Sequence, residues 1–129
     1  MLDPQTLQPG TLIDRRFEIL RFVAAGGMGA IYEAKQMPLE RRIALKVIRQ
    51  ELARDGQLVS RFQREAKTIS QLTHSHTITL FDYGVSESGL MYLAMEWLDG
   101  ADLGALLNKY GPLEPLRAAR IAAQVAASL

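Results

Sequence analysis

At 129 residues, 48% of them apolar and 22% charged, the chain is long enough for one globular domain with its own core. Fifteen Lys and Arg against fourteen Asp and Glu leave a net charge of +1, so there is no basic field to draw nucleic acid or an acidic membrane surface. The absence of cysteine excludes disulfides and thiolate metal sites and fits a reducing compartment such as the cytoplasm.

Residues 1–16 hold Pro4 and Pro9 among polar side chains and lack the basic start and apolar run of a signal peptide, so they read as a loose leader. No apolar stretch approaches the ~20 residues of a spanning helix. In residues 17–23, Phe17, Ile19 and Val23 alternate with Leu20 and Phe22, a period-two pattern apolar on both faces that predicts a buried strand. A glycine cluster follows, and residues 30–35 return as a second strand, broken by Met37-Pro38.

Residues 43–48 predict a third strand, with Ile43, Leu45 and Val47 on one face and Ala44, Lys46 and Ile48 on the other. Residues 57–72 carry Leu58, Phe62, Ile69 and Leu72 at helical spacing, with Glu65 on the same stripe, which predicts a carboxylate on the buried side. Residues 78–83 and 90–95 predict two more strands around a turn with Gly84, Ser86, Ser88 and Gly89. Helices are predicted over 101–109 and 114–129. Strands first, with a helix inserted after the third, predict an α+β fold: a five-stranded antiparallel sheet with one main helix, then two further helices.

The run Val23-Ala24-Ala25-Gly26-Gly27-Met28-Gly29-Ala30-Ile31-Tyr32 resembles the glycine-rich loop of protein kinases, in particular the bacterial Hanks-type serine/threonine kinases. Glycines let a backbone come close to phosphate oxygens and turn its amides toward them; by itself such a cluster also makes a plain hairpin turn. Ala24 stands where the G-x-G-x-x-G pattern has its first glycine, and Gly26 and Gly29 take the other two. Ala44-Leu45-Lys46 looks like the family's V-A-I-K strand motif, whose lysine bridges ATP phosphates and a glutamate of the next helix, here Glu65. Lys46 can instead be an ordinary surface lysine, and Glu65 can instead pair with Arg61 one turn earlier on its own helix.

His74-Ser75-His76-Thr77-Ile78 is similar to the family's His-Pro-Asn-Ile turn. Both histidines read as structural, and no metal site is expected from them. The stretch 91–100, with Met95-Glu96-Trp97-Leu98-Asp99-Gly100, resembles the fifth strand and hinge. The resemblance implies a lobe over 17–95, a hinge over 96–100 and the first helices of a second lobe over 101–129. It also implies ATP as ligand, with Val23, Ala24, Gly26, Gly27 and Gly29 over the nucleotide, Lys46 and Glu65 at its phosphates and Met95 behind the adenine. The Glu96 carbonyl and Leu98 amide would bond the adenine edge, Ile31, Ala44 and Leu103 would pack on the ring, and Asp102 would reach the ribose.

Phosphoryl transfer also needs magnesium ligands and a carboxylate that orients the attacking hydroxyl. From Ala101 to Leu129 there is neither a His-Arg-Asp catalytic loop nor an Asp-Phe-Gly motif. The expectation is therefore an ATP-binding portion of a serine/threonine kinase, cut before its catalytic residues and inactive alone. Magnesium and a protein substrate belong to the complete kinase. The helix 114–129, apolar at Leu116, Ala118, Ala119, Ala122, Val125, Ala126 and Leu129, offers a face for association. Two other readings stand beside this one: a non-catalytic nucleotide-binding or regulatory module, and an unrelated α+β interaction domain.

Overall fold

The alternating residues at 43–48 lie in the middle of a six-stranded sheet. A computed structural model describes residues 6–26, 29–48 and 50–129. The strands are β1 (Leu12–Ile13), β2 (Phe17–Ala25), β3 (Gly29–Gln36), β4 (Arg41–Ile48), β5 (Leu80–Val85) and β6 (Met91–Glu96). They run in the order β1-β2-β3-β4-β6-β5 with every neighbouring pair antiparallel. Between β4 and β5 come α1 (Gln50–Ala53) and α2 (Gly56–Ser70), and after β6 come α3 (Leu103–Tyr110) and α4 (Pro115–Ser128). The chain divides into two compact units, one reaching Leu72 and including Thr79–Trp97, the other made of Thr73–Ile78 and Leu98–Leu129. Of the sequence expectations, Gly27 and residues 1–5 lie outside the described residues.

In the first unit the register aligns Ala34 with Ile43, Tyr32 with Leu45 and Ala94, and Val47 with Tyr92. Facing residues of paired strands share a side of the sheet, so these rows form one buried face, joined by Ile13, Phe17 and Ile19. Phe17, Ile19, Ile43 and Leu45 are fully buried, and each contributes ~1.5–3 kcal/mol. Tyr92 packs edge-on against Phe17 with ring centroids 5.2 Å apart, and burial raises its phenol pKa.

Three expectations need correction. The sixth strand is β1, and the leader from Thr6 onward is docked: Ile13 is in the core, the Leu7 amide donates to the Tyr32 hydroxyl at 3.1 Å, and the Gly10 amide donates to the Ile19 carbonyl at 2.8 Å. A two-residue strand is too short to register as a period. The strand at 17–23 is buried only in its first half. Beyond Leu20, after the pairing with β1 ends, the bulged strand leaves Phe22 and Val23 exposed.

The third correction concerns α2, whose one buried residue is Ala66, with Leu58, Val59 and Phe62 partly covered. Positions 58, 59, 62 and 66 form the covered side of the helix, and Glu65 lies at its edge, rotated from Ala66 by about 100°. Glu65 is therefore exposed, with 60% of its side chain open to solvent, and Ile69 and Leu72 are exposed with it. Asp55 caps this helix, its carboxylate accepting from the Gln57 and Leu58 amides at 3.0 and 3.3 Å.

In the second unit the His76 amide donates to Nδ1 of His74 at 3.0 Å, which closes a tight turn. Helix α3 starts at Asp102 and stops at Gly111, whose φ of 77° favours glycine. Helix α4 begins on Pro115, a residue preset for the first helical position. It has no buried residue, and Leu116 and Val125 are exposed.

Candidate functional site

The side of the sheet opposite the core carries the residues singled out by the sequence. Ile31, Lys46 and Leu93 form one cross-strand row over β3, β4 and β6, and Glu33, Ala44 and Met95 form the next. Ala24 of β2 faces Ile31. Ala24, Ile31, Ala44, Lys46 and Met95 thus share one face of the first unit, and all but the exposed Ala24 are partly buried. The alternation that buries Leu45 obliges Ala44 and Lys46 to point the other way.

The glycine hairpin closes through the Gly26 amide, which donates to the Gly29 carbonyl at 2.8 Å. The two glycines stand in different surroundings. A Cβ on Gly26 would meet nothing within 4 Å, whereas one on Gly29 would lie 2.0 Å from the Val47 carbonyl oxygen. Glycine at position 29 is thus required by the close approach of β3 to β4.

No ion pair joins Lys46 to Glu65. Glu65 accepts from Nε of Arg61 at 2.9 Å on its own helix, the local contact that the sequence left open. The Lys46 ammonium makes no hydrogen bond or ion pair with any described residue. A shallow concavity of about 500 Å³ over Gly56, Gln57, Ser60, Arg61, Arg64 and Glu65 marks this outer face of α2.

Sequence reasoning missed a charged cluster at the far end of the same face. Glu33, with only 12% of its side chain exposed, accepts from Nε of Arg21 at 2.5 Å and from Nε of Arg42 at 2.7 Å. The two guanidinium carbons lie 5.4 and 4.5 Å from the centre of the Trp97 ring. The hydrogen bond from Arg42 holds the Glu33 carboxyl below the usual carboxylate range; burial opposes this and the bond from Arg21 assists it. A signal existed in the sequence: Glu33 sits in an apolar strand between Tyr32 and Ala34, where a carboxylate needs cationic partners.

Glu96 is tied to the segment before β5. Its amide donates to the Thr79 carbonyl at 2.9 Å, and its carboxylate accepts from the Thr79 amide at 2.7 Å. In the second unit, Asp102 accepts from the Ala105 amide at 2.7 Å and so caps α3, while Leu98 and Leu103 are exposed. Among the described residues no three His, Asp or Glu side chains converge as a metal-binding set. No described helix is long and apolar enough to cross a membrane.

The protein kinase domain family matches residues 17–129. The chain belongs to the protein kinase family. Among curated kinases it is 38% identical over 120 residues to the serine/threonine-protein kinase pkn3 of Myxococcus xanthus, covering 93% of this chain and 22% of that protein. It is 41% identical over 113 residues to PknD of Mycobacterium tuberculosis, covering 88% of this chain and 17% of that protein. To PrkC of Bacillus subtilis it is 34% identical over 120 residues, or 93% of this chain and 18% of the relative. Among solved structures, the PknI kinase domain of Mycobacterium tuberculosis superposes with a TM-score of 0.80 at 26% identity, covering 95% of this chain and 50% of that one. The chain therefore spans about a fifth of the length of these curated kinases and half of that solved domain. Kinases of this family use ATP and Mg2+ in general.

Proposed function

We propose that these 129 residues are the ATP-binding portion of a serine/threonine protein kinase and do not transfer phosphate by themselves. The observation that carries this reading is Lys46. Its ammonium has no carboxylate partner among the described residues, and it shares a face with Ile31, Ala44 and Met95. A half-buried cation beside small and apolar side chains suits the phosphates of a nucleotide whose base lies against the apolar residues. Ala44 leaves room for a planar ring, and Ile31 and Met95 supply apolar contact. The glycine hairpin at Gly26 and Gly29, entered through Val23 and Ala24, would cover the phosphates.

On this reading the lobe runs over 17–95 and the hinge over 96–100, with the Glu96 carbonyl and the Leu98 amide addressing the adenine edge. Residues 101–129 are the first helices of an incomplete second lobe. Asp102 and Leu103 keep the ribose and ring roles that the family resemblance implies for them. Asp102 would do so as the α3 cap, and Glu65 would reach Lys46 only by leaving Arg61. The exposed face of α4 is where further kinase residues would pack.

Phosphoryl transfer to a serine or threonine of a protein substrate needs an aligned hydroxyl, a carboxylate to take its proton, and magnesium at the phosphates. After Gly100 this sequence has two carboxylates, Asp102 and Glu114. Asp102 is committed to the start of α3, and Glu114 stands at the start of α4. Among the described residues no set of side chains makes up a magnesium site.

Two assays test the proposal. Calorimetric titration with Mg-ADP and with adenosine should show binding of both, with Lys46→Met weakening Mg-ADP far more than adenosine. Absence of both at millimolar concentration refutes the nucleotide site. Phosphate transfer from labelled ATP by the 129-residue chain, lost on Lys46→Met, refutes catalytic incompetence.

A further inference from the structure

The cluster at the end of the site face has a consequence for the hinge. Along β4, Arg42, Ala44 and Lys46 point to one side at two-residue steps, so Arg42 and Lys46 are about 14 Å apart along the strand. Lys46 stands at the phosphate end of the proposed site. Arg42 stands at the other end, where the chain leaves β6. The register between β4 and β6 ends with Ile43 opposite Glu96, and one step further Arg42 reaches Trp97, with 4.5 Å from its guanidinium to the ring centre. Arg21 of β2 approaches the same ring at 5.4 Å. Glu33 of β3 ties both guanidinium groups together at 2.5 and 2.7 Å.

Three strands thus contribute one charged side chain each to hold a single indole. A carboxylate this buried is costly unless it is satisfied, and bonded arginines present a flat, weakly hydrated face suited to stacking on an aromatic ring. Each guanidinium at this distance is attracted by the ring. Removing Glu33 would take away the one carboxylate that both guanidinium groups share and set the two cations against each other, which weakens their common hold on Trp97. Trp97 lies between Glu96 and Leu98, the two residues whose backbone groups are proposed to bond the adenine.

We propose that Glu33, through Arg21 and Arg42, is a positioning residue that fixes Trp97 and with it the backbone hydrogen-bonding groups that read the adenine edge. This rests on the nucleotide-binding reading above. In this role Glu33 acts through its two arginines and not on the ligand directly. A defect in the brace should therefore weaken every ligand that carries adenine alike, whereas a defect at Lys46 should weaken ligands with phosphates far more than adenosine.

Trp97 is the chain's one tryptophan, so intrinsic fluorescence of the 129-residue chain reports on the brace directly. The experiment titrates Mg-ADP and adenosine into wild type, Glu33→Gln and Trp97→Ala by calorimetry, and records Trp97 emission and acrylamide quenching for wild type and Glu33→Gln. Glu33→Gln should shift the emission to the red and raise quenching. It should also weaken both ligands by a similar factor, about five- to tenfold, the size expected for one misplaced hydrogen bond. Trp97→Ala leaves Glu33 with its arginines, keeps the test available should Glu33→Gln fail to fold, and should weaken both ligands alike.

Wild-type affinity for both ligands in folded Glu33→Gln, or in Trp97→Ala, overturns the positioning role while leaving the nucleotide site standing. So does a loss confined to Mg-ADP. If wild type binds neither ligand, the nucleotide reading falls and takes this role with it.

Discussion

Gly29→Ala isolates a backbone requirement that can be separated from nucleotide binding. The added Cβ would stand 2.0 Å from the Val47 carbonyl oxygen, 2.9 Å from the Val47 carbonyl carbon and 3.0 Å from Cα of Ile48. Carbon and carbonyl oxygen ordinarily meet at about 3.3–3.6 Å, and all three atoms belong to the backbone of β4, so no side chain can yield. Gly29 and Ile48 form the last pair of the β3–β4 ladder. The least costly response is to peel that pair open, losing one or two hydrogen bonds of ~1 kcal/mol each. The hairpin bond from Gly26 to the Gly29 carbonyl must shift with it. The sum is about 2 kcal/mol, within the ordinary range for overpacking. Urea unfolding followed by far-UV dichroism should show a midpoint about 1 M lower with an unchanged slope. Gly26→Ala is the matched control, since its Cβ meets nothing within 4 Å, and it should stay within about 0.5 kcal/mol of wild type. Wild-type stability in Gly29→Ala would refute the steric account.

Glu33 has its folded pKa depressed, chiefly by the bond from Arg42, so its contribution is full above the unfolded carboxyl value of about 4.3 and is lost as pH falls through the lower folded value. Urea midpoints from pH 7 to pH 3 should drop more steeply for wild type than for Glu33→Gln; parallel curves would contradict this. Asp102→Ala removes the cap bond to the Ala105 amide and should cost about 1 kcal/mol of local helix stability, seen as faster amide exchange in the first turn of α3. Arg61→Gln removes an exposed i,i+4 pair and should change the urea midpoint by no more than about 0.5 kcal/mol equivalent.

How far the sequence could be read depended on the length of each pattern and on whether a residue's partners were local. The alternation at 43–48 was legible because six residues at period two leave one assignment of faces, and Leu45 and Lys46 take the predicted sides. The strand at Leu12–Ile13 was not, since two residues hold no period. In α2 the large apolar residues pulled the inferred stripe toward Glu65, because Ala66, the residue that is buried, is small and carries little weight in such a count. The Arg21–Glu33–Arg42–Trp97 cluster joins residues as many as 76 positions apart. Only the strand register brings them together. The motif residues Ala44, Lys46 and Met95 were found by resemblance, and their common face follows from the pairing of β4 with β6.

Glu33, which the structure revealed, and Glu65, which the sequence pointed to, differ in what it takes to move them. Glu65 is held by one exposed arginine on its own helix, a contact worth no more than about 0.5 kcal/mol. That is below RT at room temperature, so the pair with Arg61 cannot by itself keep Glu65 from another cation; what holds it outward is the seating of α2 through Ala66, Phe62 and Val59. Glu33 is enclosed by two bonded guanidinium groups on separate strands, and displacing it would cost both bonds and disturb the ladder between β2, β3 and β4. By these contacts the first unit should resist change where Trp97 leaves the sheet and yield more readily at Glu65. Nucleotide affinity should therefore respond to changes at Glu33 and Trp97 more than to changes at Arg61, an ordering that the calorimetric titrations described above can test once Arg61→Gln is added to the set.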